Sequence, residues 1–152
     1  TITVLAHLTC TLTMFTHIII YMYTIFCLIN NITGMSCLFN SMSYFLQEDP
    51  QVIRNKICDY LQQGNPIISG LNTQQVLELD GTTNYVNTMR NASTWGGAIE
   101  IQAACNIWNM SVNVIDVRNS SRKVVNFIPV SNLSYKTITL EWSGGHYEPL
   151  KT

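Results

Sequence analysis

Near Ser111 the hydrophobic repeat of this chain changes period, and the change narrows the fold more than any other feature. Upstream, apolar residues recur every three or four positions: Leu38, Met42, Phe45 and Leu46 within Cys37 to Gln47, then Val52, Ile53, Ile57, Tyr60 and Leu61 after Pro50. Ile99, Ala103, Ile107 and Trp108 repeat the pattern after a Gly-Gly turn. That spacing stacks side chains on one face of a helix. Two weaker helices are expected over Asn72 to Leu79 and Thr82 to Arg90. Downstream come short β-branched runs, SVNVIDV (111–117), KVVNFIPV (123–130) and KTITLEW (136–142), bounded by Asn, Ser and Gly, with a last extended piece at HYEPL. Such runs read as strands. Helices first and strands afterwards predict an α+β domain whose helices pack on a small, mainly antiparallel sheet.

A chain of 152 residues suffices for one domain with a buried core. Only 11% of it is charged, against roughly 25% in an average soluble domain. The deficit is local: no Asp, Glu, Lys or Arg precedes Glu48. From Leu12 to Ile29 the sequence LTMFTHIIIYMYTIFCLI contains no charge, a length at the lower limit for spanning a bilayer. Its Thr, Ile and Tyr content suits a buried strand or covering helix equally well. We therefore expect an apolar segment over 1–30, either a membrane anchor through 12–29 or a buried element, and a second unit over 31–152. A cleavable signal peptide is a poor match, since neither a basic start nor a small-residue cleavage site is evident. The formal net charge of −1, with no basic run, leaves nothing to neutralise phosphates, so no nucleic-acid partner is expected.

Cys10, Cys27, Cys37, Cys58 and Cys105 are odd in number, with no C-x-x-C pair and no Cys/His cluster at zinc spacing. Neither a disulfide framework nor a metal site is expected, nor any cofactor. Free thiols fit a reducing compartment, and the cytoplasm is the expected location. Five Asn-x-Ser/Thr sequons, at Asn31, Asn91, Asn109, Asn119 and Asn132, would be glycan acceptors in a secreted chain. Abundant Asn, Ser and Thr account for them.

One cysteine has a distinctive address. NNITGMSC (30–37) is rich in turn formers and feeds the first helix, which puts Cys37 at its N-terminus. Unpaired amides and the helix dipole favour a thiolate there. A lone cysteine is ordinarily a small core residue, as Cys58 and Cys105 read on their helical stripes. Near the C-terminus, two glycines precede His146, and Glu148 follows at the two-residue spacing that places both on one face of a strand. A thiol, an imidazole and a carboxylate that orients the ring are the parts of nucleophilic catalysis. A solvent-exposed His and Glu on an edge strand is the alternative. His7 and His17 lie in the uncharged head and read as structural.

Three segments together resemble one family. TGMSCLFNSMSYFL is similar to the nucleophile motif G-D-G-N-C-L-F-R-S/A-L/V-S of the ovarian tumour (OTU) cysteine proteases. TWGGAIEIQAACNIWNMSVNVID resembles their central T/E-W-G-G-x-x-E-L-x-A-L-A segment and the strand after it, and ITLEWSGGHYEPL resembles their terminal I-x-L-x-Y, turn and H-Y-D/N/E. The order and spacing agree, over about Ile32 to Leu150. The resemblance implies a papain-like OTU fold, a nucleophile at Cys37, a base at His146, and Glu148 in the usual Asp/Asn place. It further implies that Trp95, Gly96 and Gly97 shape a helix start. The oxyanion hole would come from backbone amides of the loop Gly34, Met35, Ser36 and of Cys37 itself.

That loop departs from the family: Gly34 replaces Asp, Met35 replaces Gly, and Ser36 replaces Asn while remaining able to cap the helix. Met35 lacks the backbone freedom of glycine. The implied function is a thiol isopeptidase that removes ubiquitin or a ubiquitin-like modifier, its partner, from conjugates. Two alternatives stay open, an impaired OTU-like module that binds ubiquitin without cleaving it, and a viral-type OTU peptidase that processes a polyprotein.

Overall fold

The computed structural model describes residues 36–81 and 83–152. The expected apolar segment 1–30 and the loop residues Gly34 and Met35 lie outside the described residues. Among those described, no helix is long and apolar enough to cross a membrane.

The chain opens with α1 (Cys37–Leu46), followed by α2 (Pro50–Gln62). Pro50 sits in the first turn of α2, where its missing N–H costs nothing, and Asp49 Oδ1 accepts from Gln51 N at 2.9 Å and Val52 N at 3.3 Å. The buried face of α2 carries Ile53, Ile57 and Leu61, flanked by Arg54 and Cys58. Val52, assigned from the sequence to that stripe, is 44% exposed. One residue is a 100° step round the helix, which carries Val52 off the core face while Arg54 turns into it.

A hairpin absent from the sequence reading follows, β1 (Pro66–Ile68) against β2 (Leu71–Asn72), too short to leave a period of its own. Ile67 is fully buried, and Asn106 Nδ2 donates to the carbonyls of Pro66 (3.1 Å) and Ile67 (2.9 Å), seating the hairpin on a later helix. Next is α3 (Thr73–Asp80), started by a reciprocal pair in which Asn72 Oδ1 accepts from Gln75 N and Gln75 Oε1 accepts from Asn72 N, both at 3.0 Å. Then α4 (Tyr85–Met89) is shorter than the helix expected over 82–90.

The central helix α5 (Ala98–Trp108) is buried over its first eight residues. A four-stranded sheet follows, formed by β3 (Met110–Asp116), β4 (Val124–Phe127), β5 (Lys136–Trp142) and β6 (Tyr147–Pro149) in the order β4-β3-β5-β6. The outer pairings β3/β4 and β5/β6 are antiparallel and the central β3/β5 pairing is parallel. Alternation places Met110, Val112 and Val114 of β3 and Ile138, Leu140 and Trp142 of β5 on the buried face, with Val112 beside Ile138 and Val114 beside Leu140. Strand β4 stops short of the expected 123–130 because α5 takes over its backbone: Gln102 Nε2 donates to the Ile128 carbonyl, and Asn106 Oδ1 accepts from Val130 N, each at 2.8 Å. The molecule is thus an α+β domain, as its period change predicts. Its helices and sheet bring α1 and β6 side by side.

Candidate active site

Cys37 begins α1, and Leu38, Phe39 and Met42 anchor that helix in the core. Cys37 itself is 8% exposed, enough to line a surface cleft of about 730 Å³. Ser36, Asn40 and Ser41 line it from the helix side, and His146, Tyr147, Glu148 and Lys151 from the strand side. The structure therefore brings together the three predicted residues Cys37, His146 and Glu148 in one cleft.

Two contacts join its walls. The Tyr147 amide donates to Cys37 Sγ at 3.4 Å, so the residue after His146 touches the sulfur. Ser41 Oγ lies 2.8 Å from the Cys37 carbonyl and 3.0 Å from the Tyr147 carbonyl, and its single proton is shared between helix and strand. Ser41 is buried, and no motif in the sequence singles it out, although its place one turn after Cys37 marks it as facing the same side.

His146 precedes β6 by one residue instead of opening it. Its Nε2 is 3.2 Å from Glu148 Oε1, with side-chain exposures of 48% and 68%. A proton on Nε2 directed to that carboxylate leaves Nδ1 as the basic nitrogen. In the β5/β6 register Glu148 faces Glu141, and the like charges are relieved because Arg122 takes Glu141 at 2.6 Å.

The expectation that Ser36 caps α1 is corrected. Ser36 occupies the cap position but makes no capping bond. Its hydroxyl donates to the Ala92 carbonyl at 2.8 Å and accepts from Arg54 Nη2 at 3.3 Å, so these partners hold it elsewhere.

Of the two glycines only Gly96 is required by space, and what crowds it is the nucleophile helix; Gly97 has open space around it and stands at the cap of α5. A Cβ on Gly96 would lie 2.7 Å from Leu38 Cδ2 and 2.8 Å from Phe39 Cε2, so only glycine lets the loop press on the nucleophile helix. The Gly97 amide donates to Glu100 Oε2 at 2.7 Å, and Tyr85 Oη donates to Glu100 Oε1 at 2.6 Å. Burial pushes the Glu100 carboxyl up to about 7 against those hydrogen bonds. Burial likewise raises the Cys58 thiol to about 11 and the Cys105 thiol to about 12, consistent with core cysteines. No group of three metal-binding side chains occurs among the described residues.

The model of the OTU-like cysteine proteases matches residues 34–147, and this chain belongs to that family. Ubiquitin thioesterase otu2 of Schizosaccharomyces pombe is 30% identical over 128 residues, covering 76% of this chain and 42% of that protein. Ubiquitin thioesterase OTU1 of Drosophila pseudoobscura pseudoobscura is 27% identical over 125 residues, covering 76% of this chain and 31% of its own length. The chain thus spans well under half of either relative. A solved OTU domain in complex with ubiquitin superposes with a TM-score of 0.61 at 21% identity, over 78% of this chain and 65% of that one. That similarity establishes the fold.

Proposed function

We propose that the unit over 31–152 is a thiol hydrolase of ubiquitin or ubiquitin-like conjugates, with Cys37 as nucleophile, His146 as base and Glu148 as ring orienter. The observation that carries this reading is the seam between α1 and β6, where the Tyr147 amide meets the Cys37 sulfur and the neighbouring His146 has its Nε2 on Glu148. The names of the relatives, both ubiquitin thioesterases, support the substrate class.

The chemistry follows from the ring's tautomer. His146 Nδ1 takes the Cys37 proton, and the thiolate attacks the carbonyl carbon of the scissile bond. The electron pair moves to the carbonyl oxygen, which the amides at the start of α1 stabilise, with Gly34 and Met35 of the preceding loop as the remaining donors. Collapse expels the substrate amine, which takes the proton from His146, and leaves a thioester on Cys37. Water, deprotonated by His146, then releases the acid and restores the thiol. Free Cys37, Cys58 and Cys105 support a reducing, cytoplasmic setting.

The test is labelling by ubiquitin carrying a C-terminal electrophile, together with cleavage of ubiquitin chains. Wild-type protein is expected to form one covalent adduct and to turn over chains, and Cys37→Ala to do neither. A folded wild type that binds ubiquitin but never labels or cleaves would replace this reading by the impaired binding module, for which the Gly34 and Met35 departures speak.

A further inference from the structure

Arg54 is 1% exposed in the middle of α2 and reaches towards the start of α1. Its Nη1 donates to the Met89 carbonyl at 2.8 Å, and its Nη2 donates to the Ala92 carbonyl and to Ser36 Oγ, each at 3.3 Å. The guanidinium carbon stands 3.9 Å from the centre of the Phe39 ring, beneath the nucleophile helix. Desolvating a guanidinium is costly, and an apolar residue of like volume often stabilises such a position better. The position of this arginine therefore calls for a reason other than packing.

Ser36 supplies the reason. A serine at the cap position ordinarily turns its oxygen onto the second or third amide of the helix. Those same N–H groups make a helix start an anion site, so a cap and a bound anion compete for them. Here the Ser36 hydroxyl is gripped from the other side: it donates to Ala92 and receives from Arg54. At φ −125° and ψ 10° its backbone is not extended as a capping residue's is, so the grip on the hydroxyl also holds the backbone, and release would let residue 36 turn to the extended form that carries the oxygen onto the first turn.

We propose that Arg54 is a positioning residue for acyl transfer at Cys37: with the Ala92 carbonyl, it holds the Ser36 hydroxyl off the start of α1 and keeps those amides open to the thiolate and the oxyanion. The inference rests on Cys37 being the nucleophile. Arg54 is buried beneath α1 and acts through Ser36.

Removing the grip and then the hydroxyl separates this role from a structural one. In Arg54→Met, kcat on a fluorogenic ubiquitin substrate is expected to fall on the order of tenfold or more, with KM within about twofold. Adding Ser36→Ala to Arg54→Met removes the intruding oxygen and should recover kcat several-fold. A merely structural arginine predicts the reverse, because the double variant loses one more hydrogen bond; a double variant no faster than Arg54→Met overturns the proposal. If Arg54→Met does not fold, Arg54→Lys, which keeps the charge but one nitrogen, is compared with and without Ser36→Ala in the same way. Alkylation of Cys37 by iodoacetamide at pH 7, read on its peptide by mass spectrometry, probes the same amides without ubiquitin. Its rate should drop in Arg54→Met and return in the double variant; equal rates in wild type and Arg54→Met overturn the proposal. A wild type that cleaves no ubiquitin conjugate defeats the proposed function, and the alkylation series still decides this one.

Discussion

The carboxylate of Glu148 sits on the surface, 68% exposed, and its ionic attraction to His146 is correspondingly screened. What it contributes to the proposed site is direction: with Nε2 occupied by the carboxylate, Nδ1 is the ring nitrogen left to act as the base. Glu148→Gln retains an acceptor oxygen at nearly the same reach, whereas Glu148→Ala leaves the ring free to rotate. We expect Glu148→Ala to lower kcat by about tenfold and Glu148→Gln by clearly less, measured on a ubiquitin substrate. An equal loss in both variants would point to charge instead of orientation. That Cys37 opens a helix and that His146 and Glu148 share one extended segment was legible in the sequence, because helix starts and alternating strands leave spacing signatures. The contacts of Ser41 and Arg54 were not, since they depend on partners such as Tyr147 and Ala92 that only tertiary packing brings near.

The nucleophile helix is fixed by what presses on it. Gly96 lies against Leu38 and Phe39 so closely that a methyl group must displace one of them, and these two side chains are also the anchors of Cys37. Gly96→Ala should destabilise the fold by roughly 1–3 kcal/mol, the usual range for overpacking. Equilibrium denaturation measures it, and a change within about 0.5 kcal/mol would mean that α1 shifts freely. Elements were readable where a long run carries a clean period: α1, α2, α5, β3 and β5 fall within a residue or two of their expected positions. The β1/β2 hairpin and the early end of β4 were not readable. Both are set by side-chain amides of α5, Asn106 and Gln102, which bind backbone groups far away in sequence.

Across the whole molecule, one buried acid makes stability depend on pH. Glu100 is fully buried and its carboxyl is raised from 4.5 to about 7. Between those values the folded state binds a proton that the unfolded state does not, so the contribution of Glu100 to stability falls as pH rises through this window and is constant outside it. The shift amounts to on the order of 3 kcal/mol. Glu100→Gln should remove that slope: chemical denaturation at pH 4.5 and pH 8 should show wild type losing more stability than the variant. Parallel profiles would sink the assignment. The overall architecture was legible because the period change near residue 110 separates helices from strands, while the parallel β3/β5 pairing was not, since strand order leaves no mark on local spacing. The seam between α1 and β6 has a consequence in time. Cys37 and Tyr147 are 110 residues apart, so a growing chain carries its thiol long before the histidine exists. The proposed thiol–imidazole pair comes into being only when β6 docks against α1, so folding itself would serve as its safety catch.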